Sequence, residues 1–117
     1  MRVLIVDDNP INRLLPGAWI TRSGWDAVEC PNGVEALKKL STERFDVILL
    51  DLSMPGLSGI EVCRRLRALP NGKGVRVIAY TAHAVPDALE GLTAAGFDEV
   101  LIKPITKEAL MRVVTGE

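Results

Sequence analysis

Four strand-like runs in this 117-residue chain end on side chains able to do chemistry. Arg2 to Asp7 closes on the doublet Asp7-Asp8, and Phe45 to Leu50 is followed by Asp51. Val75 to Tyr80 is followed by Thr81, and Glu99 to Ile102 by Lys103-Pro104. Three carboxylates brought within a few ångströms repel one another and resist ionisation. A divalent cation relieves that repulsion. Magnesium suits a shallow oxygen site, because it takes one or two carboxylates, keeps several waters and accepts phosphate oxygens. An ammonium and a hydroxyl donor beside one free carboxylate supply what phosphoryl transfer needs, since that chemistry depends on positioning and charge neutralisation. A carboxylate so placed can act as the nucleophile and become an acyl phosphate.

The elements that would position these groups alternate. After the first run, Ile11, Leu14, Leu15, Ala18 and Trp19 recur at helical spacing, up to Gly24. Asp26 to Cys30 is a second short strand. Asn32-Gly33 opens a helix with Val34, Leu37 and Leu40 on one face and a Glu35–Lys39 pair at i,i+4. Ser58 and Glu61 have the spacing of a capping box ahead of Ile60, Cys63, Leu66 and Leu69. Pro70 to Gly74 is a loop. Val85 to Ala95 is a helix with Leu89 and Leu92 on its apolar face, and Thr106 caps a last helix carrying Leu110, Val113 and Val114. Five βα units with uniformly apolar strands imply an α/β fold: a doubly wound parallel sheet with helices on both faces. Ligands of such sheets bind beyond the carboxyl ends of the strands, where strand order reverses. Those ends carry the groups named above.

Composition narrows the class. Hydrophobic residues make up 48% and charged residues 25%, which predicts one globular domain over residues 1–117 rather than a disordered or fibrous chain. Fourteen basic against fifteen acidic side chains give a net charge of -1, so the chain lacks the basic field of a duplex DNA binder. No apolar run approaches the roughly 20 residues of a membrane helix, and no leader is visible. Cys30 and Cys63 make no metal pattern and read as buried thiols of a cytoplasmic protein. Gly72-Lys73-Gly74 lacks the frame of a phosphate-binding P-loop.

Five segments in order resemble the receiver domains of bacterial two-component response regulators. They are Val3 to Arg13 (VLIVDDNPINR), Asn32 to Leu37 (NGVEAL), Asp46 to Glu61 (DVILLDLSMPGLSGIE), Val77 to Ala84 (VIAYTAHA) and Ala94 to Ile105 (AAGFDEVLIKPI). The resemblance spans essentially the whole chain. It implies a flavodoxin-like strand order, 2-1-3-4-5. It implies Asp51 as phosphoacceptor, Asp8 as direct Mg²⁺ ligand, Asp7 as a ligand largely through water, and the Ser53 backbone carbonyl as third protein ligand. Thr81 would bond a phosphoryl oxygen, Lys103 would pair with the phosphoryl group, and Lys103-Pro104 would be cis. The partners implied are a histidine kinase or histidine phosphotransfer protein upstream and an effector or output domain downstream. Such a module takes part in its own phosphoryl transfer and hydrolysis and is no metabolic enzyme.

Three features depart from that pattern or sit beside it. Val100 stands where the family often has an aromatic residue, so a shift of the helix Val85 to Ala95, loosened by Gly91, is the expected output. Tyr80 neighbours Thr81 on a strand and so faces the other side. Pro16-Gly17 predicts a kink or local break in the first helix. His83 reads as a surface or capping histidine; the alternative is that His83 and Ser53 tune attack of water on the acyl phosphate. Rival classes fare worse. A phosphatase of the haloacid-dehalogenase type resembles D-x-D, whereas this run is Asp51-Leu52-Ser53. A flavin binder would offer a Ser-, Thr- or Gly-rich cradle, where this chain has Asp7-Asp8-Asn9. A receiver-like module that only binds partners is the remaining alternative.

Overall fold

A computed structural model describes residues 1–82 and 86–116, with the side chains of 86–90 left undescribed. Five parallel strands lie in the order β2-β1-β3-β4-β5. They are β1 (Arg2–Val6), β2 (Asp26–Cys30), β3 (Val47–Asp51), β4 (Arg76–Thr81) and β5 (Glu99–Ile102). The helices are α1 (Pro10–Arg22), α2 (Gly33–Thr42), α3 (Gly59–Arg67), α4 (Pro86–Ala95) and α5 (Lys107–Thr115), with a 3₁₀ turn at Pro70–Gly72. The five-unit doubly wound sheet read from the sequence is thus found, in the order the resemblance implied.

Strand alternation sends side chains into two apolar layers. Leu4, Val6, Ile48, Leu50, Val77 and Ala79 meet α2, α3 and α4; Val3, Ile5, Val47, Leu49, Ile78 and Tyr80 meet α1 and α5. Both layers are closed because the crossover helices cover both faces of the sheet. Cys30 and Cys63 are buried in the first layer, and burial pushes the Cys63 thiol up to about 11. Trp25 packs at the margin of the second.

Helix starts follow the chemistry of their caps. Asn32, Ser58 and Thr106 accept from the backbone N–H three residues on, at 2.9, 3.3 and 3.1 Å. The capping box at Ser58 is only half formed, because the Glu61 carboxylate turns to Arg65 at 3.1 Å. Glu35 pairs with Lys38 at 3.6 Å rather than with Lys39.

In helix α1 the local break expected at Pro16 is not found, and the inward face differs from the one expected. The helix runs unbroken from Pro10 to Arg22 with Pro16 inside it. Proline cannot donate to the Asn12 carbonyl, but Pro16 and Ile20 are buried, and this tertiary packing holds the helix across the missing bond. The face chosen by spacing is also not the inward one. Ile11, Leu14 and Leu15 are 72%, 64% and 59% exposed, leaving an apolar strip on the surface. In α2, Val34 is likewise exposed while Ala36 and Leu40 pack inward.

The expected helix Val85 to Ala95 is found as Pro86–Ala95; Val85 and His83 lie outside the described residues. Its far end is tied down by Arg67 of α3. That guanidinium donates to the Gly96 carbonyl at 2.6 Å, to the Gly72 and Val75 carbonyls at 2.9 and 2.6 Å, and to Asp98 at 2.9 Å. One side chain thereby joins α3, the 3₁₀ turn, the start of β4 and the α4–β5 loop. Arg67→Ala leaves these carbonyls without their charged donor and is expected to lower unfolding free energy by about 2 kcal/mol; chemical denaturation with an unchanged m-value checks this.

Candidate functional site

Parallel register brings the ends of β1, β3 and β4 to one edge. Val6 pairs with Leu50, Leu50 with Ala79, and Asp51 with Tyr80. Asp7 and Asp8 follow β1 directly, Asp51 and Thr81 end their strands, and Lys103 follows β5. The five groups singled out from the sequence therefore meet at the carboxyl edge.

Their environments differ. Asp7 is fully buried, Asp51 and Thr81 are 3% and 4% exposed, and Asp8 is open to solvent. One carboxylate oxygen from each of Asp7, Asp8 and Asp51 lies within 4.8 Å of the others. Lys103 leans over the buried pair, with Nζ 3.3 Å from Asp7 Oδ2 and 3.7 Å from Asp51 Oδ2. Its backbone N–H donates to the Thr81 carbonyl at 2.8 Å, which ties its position to the end of β4. The Lys103–Pro104 peptide is cis, as the resemblance implied.

A carboxyl group buried beside a second carboxylate ionises less readily. Burial raises the Asp51 carboxyl above the ordinary carboxylate range, and Asp7 adds repulsion. The Ser53 N–H, donating to Asp51 Oδ1 at 3.0 Å, and the Lys103 ammonium pull the other way. The Asn9 N–H similarly donates to Asp7 Oδ1 at 2.9 Å. A hard, oxygen-seeking dication fits this donor set, since it would share three carboxylates of which one opens to water.

Supporting residues were harder to see in the sequence. Arg13 donates to the Asp7 carbonyl at 2.6 Å and to Glu29 at 2.9 Å, pinning the β1–α1 loop to β2. Gly59 opens α3 against β3: a Cβ there would stand 2.5 Å from the Asp51 carbonyl oxygen. Only glycine lets α3 start so close behind Asp51. Tyr80 lies beneath Lys103, its ring centroid 4.3 Å from Nζ. Alternation was the available signal for Tyr80: it pairs with Leu101, and Leu101 and Lys103 have the same parity. Val100, half-buried, packs against the opposite layer.

Comparison with known proteins assigns this arrangement to a class. Residues 3–115 match the family model of the response regulator receiver domain, and the chain belongs to that family. It is 39% identical over 110 residues to the signal transduction histidine-protein kinase BarA of Escherichia coli, a match covering 94% of this chain and 12% of the relative. The chain thus spans about an eighth of the length of that relative. Chemotaxis protein CheY4 of Vibrio cholerae superposes with a TM-score of 0.94 at 29% identity, covering 98% of this chain and 96% of the other. The receiver domain of a sensor histidine kinase from Pseudomonas aeruginosa, solved with magnesium coordinated in its active-site cleft, superposes with a TM-score of 0.90 at 32% identity, covering 98% and 94%. The protein is a two-component receiver module, like the receivers of hybrid kinases, and a signalling module rather than a metabolic enzyme. Among the described residues no helix is long and apolar enough to cross a membrane.

The raised Asp51 carboxyl has a thermodynamic consequence. An acid whose folded-state pKa lies above its unfolded value weakens the fold at pH above the folded pKa. That penalty fades as pH falls to the ordinary carboxylate range. Asp51→Asn is therefore expected to raise the thermal midpoint of the metal-free protein by several degrees at neutral pH, and by progressively less on acidification. Melting curves of both proteins across that range check the sign.

Proposed function

We propose that Asp51 accepts a phosphoryl group from a phosphohistidine, and that the module signals from the phosphorylated state. The observation that carries this reading is the buried Asp51 carboxylate, with Asp7 and Asp8 oxygens within 4.8 Å and the Lys103 ammonium at 3.7 Å. A free oxygen of Asp51 attacks phosphorus; the O–P bond forms as the P–N bond to the imidazole breaks. Attack of water on the acyl phosphate later releases inorganic phosphate and restores the carboxylate.

Asp8 would hold Mg²⁺ directly and Asp7 largely through water, with Asp51 and the Ser53 backbone carbonyl completing the protein ligands. Bound there, Mg²⁺ supplies positive charge against the phosphoryl oxygens. Thr81 donates to one phosphoryl oxygen. Lys103, already poised between two carboxylates, pairs with another. The roles assigned to these residues rest on their match to the family's motifs and on the geometry above.

Residues 1–117 form one receiver domain on this reading, working in the cytoplasm with a histidine kinase or a histidine phosphotransfer protein. The similarity to hybrid kinases favours a receiver that belongs to such a kinase, with an effector or output domain downstream. The surface strip of Ile11, Leu14 and Leu15 beside the site gives the phosphodonor's helices an apolar face to dock on. A phosphorylation-independent binding module would have no use for an ammonium held between two buried carboxylates.

Incubation with Mg²⁺ and acetyl phosphate is expected to add one phosphoryl group by intact mass, lost on omission of Mg²⁺ and in Asp51→Asn. Absence of the adduct, both with acetyl phosphate and with a phosphorylated histidine donor, would overturn the reading. Leu14→Glu is expected to slow transfer from a phosphohistidine protein roughly tenfold, as loss of a well-buried apolar contact does. Its labelling by acetyl phosphate should stay at the wild-type rate.

A further inference from the structure

Lys103 has to remain charged, extended and aimed, yet its two carboxylate partners are also the groups that would bind the cation and the phosphoryl group. A flexible four-carbon stem has no preferred direction of its own. Something other than those carboxylates must hold it when they are engaged. Among the described residues, an aromatic ring also touches the ammonium. Tyr80 is only 4% exposed, its ring lies in the α1/α5 layer, and its centroid is 4.3 Å from Lys103 Nζ.

We propose that the face of Tyr80 is a positioning platform for Lys103, holding the ammonium over the phosphoacceptor by a cation–π contact. The inference deepens the proposed function and rests on it. Three observations converge. The ring is immobilised by the β4 backbone, whose neighbour Thr81 belongs to the site and accepts the Lys103 N–H. Leu101 pairs with Tyr80 across the sheet, so the chain of β5 delivers Lys103 over the ring by strand alternation. The ammonium lies within about 6 Å of the centroid, in a partly desolvated place where such contacts are strongest. Charge also favours a neutral ring: burial and the Asp7 and Asp51 carboxylates push the Tyr80 hydroxyl up to about 12, so no phenolate competes for the ammonium.

The ring's worth is greatest when a cation is in the site. A dication held by Asp7, Asp8 and Asp51 would repel Lys103 and weaken its two ion pairs. The π face does not bind magnesium and keeps its hold. Tyr80 therefore acts through Lys103 and touches no reacting atom.

The test compares Tyr80→Phe, which keeps the π face, with Tyr80→Leu, which keeps an apolar side chain without it. In wild type and Tyr80→Phe the Lys103 Cε protons should be shifted upfield by the ring current, and in Tyr80→Leu they should return to the usual lysine position. Affinity for beryllofluoride, a phosphoryl mimic, at saturating Mg²⁺ should fall roughly fivefold or more in Tyr80→Leu. It should stay within twofold in Tyr80→Phe. Equal loss in both variants would assign the effect to the hydroxyl, and no loss in Tyr80→Leu would remove it altogether; either overturns the proposal. If Tyr80→Leu does not fold, the wild-type shift alone decides, since unshifted Lys103 protons contradict the contact. Failure of wild type to bind beryllofluoride would instead strike at the proposed function.

Discussion

Asp7 and Asp51 are two buried acids at the edge of one sheet, with one ammonium over both. Like charges this near oppose each other's ionisation, and low polarity makes the opposition stronger. Much of the surrounding structure is an answer to that one repulsion. Backbone N–H groups of Asn9 and Ser53 turn onto the carboxylates, and Lys103 is fastened to the end of β4 through its own N–H. The unmet remainder is what a dication and an anionic phosphoryl group together can relieve. A site that is uncomfortable without ligand is thereby prepared for one.

The scaffold keeps those groups from drifting apart. Fully buried strands β1 and β3 cannot slip register without turning one apolar layer onto the other, so Asp7 and Asp51 stay level. Arg13 secures the loop after β1, and Gly59 lets α3 start against the carbonyl of Asp51. At the far end, Arg67 binds α3 to the α4–β5 loop. Asp51 thus has a stiff β-sheet on one side and, behind it, α3 tied through Arg67 to the α4–β5 loop. The two layers part at β4: Thr81 belongs to the site, while Tyr80 carries Lys103 from the opposite face.

The architecture was readable because strand-like runs and helical spacing repeat five times, and four of the runs end on a polar group. The cluster was readable because parallel sheets gather their strand ends. What spacing did not reveal has physical reasons. Ile11, Leu14 and Leu15 have the period of a core face, yet face solvent, because periodicity reports a shared side and not which side the sheet covers. Pro16 suggested a break, but buried packing at Pro16 and Ile20 outweighs one missing hydrogen bond. Glu61 and Glu35 chose nearer guanidinium and ammonium partners over the cap and pair that their spacing suggested. Arg13, Gly59 and the Tyr80–Lys103 contact depend on tertiary approach, which no local pattern encodes.

A cation held by Asp7, Asp8 and Asp51 would relieve the repulsion that Asp7 exerts on the buried Asp51 carboxylate. Calorimetric titration with Mg²⁺, in buffers of different ionisation enthalpy, measures the protons released on binding. Cation binding favours ionised carboxylates, so release should grow as pH falls from neutral toward the carboxylate range, and Asp51→Asn should abolish most of that growth. Mg²⁺ binding with no proton release across that range would show that Asp51 is already fully ionised, and would contradict the account.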